Sequence, residues 1–137
     1  MIEFGLVAVM LVIVLLGVVD VGRLVLVYTT LAQSARAGAR YAIVHGKDRT
    51  GALGATPDSP SGPANTTQIQ TVVQNFASAG LLDLNNLNVT VNYPSGTYAV
   101  GSKVTVTVSY TYDPLVSYYN RLLNVTMSSS SQGVIVF

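Results

Sequence analysis

Residues 2–44 read IEFGLVAVMLVIVLLGVVDVGRLVLVYTTLAQSARAGARYAIV, and how this stretch is read decides the fold. From Phe4 to Val19 it carries no charge, and its apolar side chains fall on every side of a helix. That is the pattern of a membrane span or of a helix buried all round. At about 1.5 Å per residue the run reaches ~24 Å, somewhat short of the ~30 Å hydrocarbon core of a bilayer. Asp20 and Arg23 follow at i, i+3, a spacing at which they can neutralise each other on one helix face. Leu24 to Val27 then resume the apolar stretch, so a tilted span ends near Tyr28. No helix breaker stands between Val25 and Ala37, and Gly46 offers a C-terminal stop. Leu31, Ala35, Ala39 and Ala42 make one stripe, while Arg36 and Arg40 lie one turn apart on another face. With Gly17 and Gly22, the residues Leu31, Ala35 and Ala39 are the positions where a second helix can approach closely. The expectation is one helix over about residues 2–44, apolar all round in its first half and amphipathic in its second.

Glu3 is the residue that does not fit a plain span. An ionised carboxylate at the head of an apolar run has to meet a cation when it leaves water. The nearest supply is the α-amino group of Met1, its own or that of a neighbouring copy. Met1 and Glu3 are therefore the expected subunit-pairing groups, and Asp20 with Arg23 an intrahelical or intersubunit ion pair.

Three readings of the opening compete. A secretory signal peptide lacks support, since no Lys or Arg precedes the run and the helix continues past residue 28 without a clear cleavage signal. A single-pass anchor suits the apolar half but leaves Glu3 and the small-residue stripe without a purpose. A helix held first in a bilayer and later among copies of itself accounts for all three features.

Downstream, GKDRTGALGATPDSPSGP (46–63) is rich in proline and glycine and reads as a linker. Thr67 and Gln70 have the spacing of a capping box for a helix whose Ile69, Val72, Val73 and Phe76 share a face and whose stop is Gly80. Leu87, Val89, Val91 and Tyr93 alternate with polar residues, Pro94-Ser95-Gly96 turns the chain, and Val104, Val106, Val108, Tyr110 and Tyr112 alternate again. These are half-buried antiparallel strands. A further strand is expected over about 124–132, weakened by its four serines. The organisation is thus an α+β chain: a long helix (1–45), a linker (46–66), and a head (67–137) of one helix on a three- or four-stranded antiparallel sheet. The head is expected to fold without the long helix.

Half of the 137 residues are hydrophobic and only 9% are charged, well under the roughly 25% of ordinary soluble proteins. The net charge of +1 and the few clustered basic residues give no phosphate-tracking face, which argues against nucleic acid. The absence of cysteine removes disulfides, thiolate metal sites and cysteine nucleophiles. The one histidine, His45, falls at the helix end, where an imidazole interacts with the last carbonyls. The six acids show no metal-ligand spacing, and GKDRTG is not a phosphate loop. No catalytic residue, cofactor, metal or small-molecule substrate is expected. Asn65, Asn88 and Asn124 begin N-x-T sequons, open to glycosylation in a host that carries it out. Tyr118 and Tyr119, near Pro114, are candidates for an exposed aromatic patch.

The N-terminal string resembles the signature of TadE-like proteins, pseudopilins of the tight-adherence (Tad) branch of the type IV pilus system. The matching elements are Glu3-Phe4 ahead of the apolar run, then Asp20, Gly22 and Arg23, then Arg36, Gly38, Ala39 and Arg40. VTVTVSYTYDPLVSYYNRLL (104–123) is similar to the strand and aromatic-x-Pro-Leu element of that family. Two departures stand out: Glu3 is third where type IV pilins usually carry glutamate fifth, and VIVF closes the chain where relatives often end on a charge. The resemblance implies membrane insertion, removal of a basic leader by a prepilin peptidase, and handling by pilus assembly machinery. It further implies a homo-oligomeric helical filament with the head outside the cell. The expected function is a structural filament subunit for adhesion or surface attachment. The alternative is a minor membrane-anchored pseudopilin that primes or tips a filament made by another pilin.

Overall fold

Ile2–Val44 forms one uninterrupted helix, α1, in the computed structural model. No proline breaks it, and a helix satisfies its own backbone polar groups, which an apolar surrounding demands. The structure describes residues 2–45, 66–80, 82–96, 99–114 and 125–136. The expectations placed on Met1, the linker, Asn65, Tyr118, Tyr119 and Asn124 lie outside the described residues.

The second helix, α2 (Thr66–Ala79), leads through a short 3₁₀ turn (Leu84–Asn86) into β1 (Leu87–Asn92), β2 (Lys103–Tyr112) and β3 (Val125–Val134). The three strands form an antiparallel sheet in the order β1-β2-β3. Alternation sets the faces: Val104, Val106, Val108, Tyr110 and Tyr112 of the central strand are all buried. Gly96 closes the turn after β1 at a φ of 64°, its N–H donating to the Tyr93 carbonyl at 2.9 Å. This is an α+β chain with both helices on one face of the sheet: α1 packs on β2, β3 and α2, and α2 reaches β1.

Several expectations change in detail. The four serines do not weaken β3, which pairs with β2 along its full length because the backbone ladder is indifferent to side-chain polarity. Gln70 does not close a capping box; its side-chain amide donates instead to the Val89 carbonyl at 3.3 Å, tying α2 to β1. Phe76 leaves the core face and is 49% exposed, while Ala77 takes the buried position beside Ile69 and Val73.

The largest change concerns where the core lies. Val27, Leu31, Ala35, Ala39 and Ala42 of α1 belong to the same buried cluster as Val73, Val106 and Ile135. Ser34, fully buried on the same face, donates its hydroxyl to the Leu31 carbonyl at 2.9 Å. A cut at residue 45 therefore divides this core instead of separating two units. Gly38 shows how tight the seam is, since a Cβ there would lie 2.5 Å from a methyl of Val73 and 3.2 Å from one of Val106. At the far end, the Val136 N–H donates to the Ile43 carbonyl at 3.1 Å, so the residues after β3 are tied to the helix.

Candidate membrane and assembly surface

The two halves of α1 have opposite surroundings. From Glu3 to Val19 every residue is exposed, and between Val21 and Leu26 only Leu24 is partly covered. Beyond Val27 one side of the helix is buried in the head. At about 1.5 Å per residue, Phe4 to Val19, ahead of the level at which the head meets the helix, extends roughly 24 Å, somewhat short of the ~30 Å hydrocarbon core. By length and composition α1 can cross a membrane. Exposed apolar surface of this size must be covered by lipid or by protein.

The expected site residues separate accordingly. Glu3 stands exposed in the first turn. Gly17 and Gly22 face open space, with nothing within 4 Å of where a Cβ would be. Leu31 and Ala35 are fully buried and Ala39 is 2% exposed, all against the chain's own head. The stripe expected to admit another copy's helix is thus already occupied within the chain, which is a correction to that expectation. Its small residues do let a helix approach, but at Gly38 the neighbour is the chain's own α2. Asn88 lies exposed on β1, and its carbonyl accepts from the Ser109 hydroxyl at 3.4 Å.

Asp20 and Arg23 converge on a residue that the sequence does not place beside them. The Tyr112 hydroxyl donates to an Asp20 carboxylate oxygen at 3.0 Å and lies 3.2 Å from the Asp20 carbonyl. The Arg23 guanidinium sits 5.6 Å from the centre of the Tyr112 ring, within cation–π range. Burial, and then the hydrogen bond to Asp20, push the Tyr112 phenol above its ordinary pKa. A recess of about 300 Å³ adjoins this contact, lined by Gly17, Val21 and Leu24 of the helix and by Pro114 and Val125 of the head. Here the bare half of α1 ends and the head begins.

A second feature lies at the other end of the helix. Between α1 and α2 runs a groove of about 600 Å³ lined by Gln33, Arg36, Arg40, Val44, Val72 and Phe76 among others. Arg36 and Arg40 are exposed, and among the described residues no carboxylate pairs with either. Tyr41 also lines the groove, its hydroxyl donating to Gln68 at 2.8 Å and its ring stacked on His45 at 3.9 Å. His45 Nδ1 lies 2.8 Å from the Tyr41 carbonyl, as a terminal histidine is expected to.

A family model described as TadE-like protein matches residues 1–40, the stretch that holds the bare helix, Asp20, Arg23 and both groove arginines. Over these residues the chain is similar to TadE-like proteins. This similarity suggests involvement in the Tad pilus system, and the apolar helix fits membrane anchoring. No curated protein and no solved structure matches the chain. Sequence patterning finds the bare half of α1, but not the Tyr112 contact or the groove. The contact forms only through the sheet, and the groove exists only once α2 has docked.

Proposed function

We propose that this chain is a non-enzymatic, pilin-like structural subunit of a Tad-class filament. The bare half of α1 holds it in the cell membrane, with the head outside. After prepilin peptidase has matured it and the assembly machinery has engaged it, the same half passes from lipid into the centre of an extracellular filament of identical subunits. The filament would serve adhesion or surface attachment.

One observation carries this reading: α1 from Phe4 to Val19 is exposed all round, although the described residues beyond it build a buried core of their own. Apolar burial is worth about 25 cal/mol per Å², so such a rod has no stable place in water and moves only between lipid and protein. A bundle of identical rods supplies the protein alternative.

The second reading is a minor pseudopilin that stays anchored and primes or tips a filament made by another pilin. The buried stripe Leu31–Ala35–Ala39 favours it to this extent, since polymer contacts cannot use that face. Quantifying this chain against other pilins in filaments sheared from cells, with antibody labelling along them, separates the two. Labelling along the whole length supports the subunit reading, label at the tips or the cell envelope alone supports the minor one, and absence from both fractions removes both.

A further inference from the structure

Resting on the filament reading, we infer that Glu3 of one copy docks between Arg36 and Arg40 in the α1–α2 groove of another. Among the described residues Glu3 has no cationic partner, and the two arginines have no carboxylate partner. They lie toward opposite ends of one uninterrupted helix, about 50 to 55 Å apart at about 1.5 Å per residue. A carboxylate that leaves lipid for a protein interior needs a partner that brings both charge and hydrogen-bond donors, and a guanidinium fork supplies both. Arginines one turn apart present two such forks to a single carboxylate.

The surroundings agree with the charge. Leu6 and Val7 share a face with Glu3 and are exposed. In a parallel neighbour displaced along the rod, they come level with Arg40 and Val44, facing the apolar wall made by Val72 and the half-exposed Phe76. All copies enter the membrane in one orientation, which excludes an antiparallel pair that would satisfy both contacts at once. A parallel contact between two different ends of the same molecule leaves one end of each pair open. Such a heterologous contact propagates into a filament instead of closing into a dimer.

The test uses filaments from cells expressing the full chain. Arg36→Glu with Arg40→Glu is expected to reduce filament yield at least tenfold while the membrane-bound subunit keeps its level, and adding Glu3→Arg is expected to restore assembly. Because the chain has no cysteine, Val7→Cys with Val44→Cys offers an independent readout, a disulfide-linked ladder in filaments that neither single variant forms. Normal filaments with both arginines reversed, or a failed charge exchange together with no ladder, would overturn the contact while leaving the subunit reading in place; the Met1 amine would then be the partner of Glu3. A wild-type chain absent from sheared filaments overturns the subunit reading, and this contact with it.

Discussion

The Tyr112 hydroxyl meets the Asp20 carboxylate at 3.0 Å across 92 positions of the chain, pinning the end of β2 to the point where α1 leaves the head. A hydrogen bond to a charged group contributes about 1.5 to 3 kcal/mol when it is shielded from water. Tyr112→Phe is therefore expected to lower the unfolding midpoint in detergent by several degrees and to speed proteolysis between Asp20 and Val27.

The same contact predicts an alkaline limit. The folded-state pKa of Tyr112 is raised by burial and by Asp20, and that of Tyr93 by burial. A raised phenol pKa means that the folded state holds its proton longer than the unfolded chain. The associated stability is present below the ordinary tyrosine pKa of about 10 and is lost as pH rises through the higher folded values. Denaturation midpoints should fall above about pH 10, and fall less steeply in Tyr112→Phe. Parallel curves for the two proteins would remove Tyr112 from this limit.

Gly38→Ala sets helix propensity against packing. Alanine gains up to about 1 kcal/mol in a helix interior. The new methyl, however, meets Val73 at 2.5 Å and Val106 at 3.2 Å, both fully buried and unable to swing aside. Overpacking costs about 1 to 3 kcal/mol and outweighs the gain. Thermal unfolding should show a loss for Gly38→Ala and none for Gly22→Ala, where a Cβ meets nothing within 4 Å.

Ala35→Leu with Ala39→Leu is expected to remove the folded monomer itself, not assembly alone, because both positions are buried in the chain's own core. For the same reason a fragment beginning at Lys47 should remain unfolded by circular dichroism, and one beginning at Val25 should unfold cooperatively. Cooperative unfolding of the shorter fragment would show that the sheet and α2 need no support from α1.

Leu15→Arg in the bare half should leave the head intact and impair insertion. A charge at the centre of a span costs about 2.5 to 3.5 kcal/mol on insertion scales. Membrane fractionation is expected to show the variant depleted from the bilayer, while its thermal unfolding midpoint in detergent matches that of the unchanged chain.

Much of this was legible in the residues alone. The all-round apolar run of Phe4–Val19, the period-2 alternation of Val104–Tyr112 and the helical period of Ile69–Val73 are local patterns, and each marks its own element whatever its neighbours do. Phe76 and Gln70 were placed less well, because a helix face about 100° wide admits either Phe76 or Ala77 at its edge, and Gln70 finds the Val89 carbonyl only after β1 has docked.

By itself the sequence determined that α1 is one helix, that its first half cannot remain in water, and that a small α+β head follows, since hydrophobicity and periodicity are properties of neighbouring residues. Tertiary structure decided which partner the Leu31–Ala35–Ala39 stripe would have. A small-residue face invites any close helix or sheet, and nothing in its spacing distinguishes another copy from the chain's own head. Connectivity makes that choice: α2, β2 and β3 are tethered to α1 at an effective concentration no separate copy can match, and they reach the stripe first. The face left for other molecules is the one that the head cannot cover.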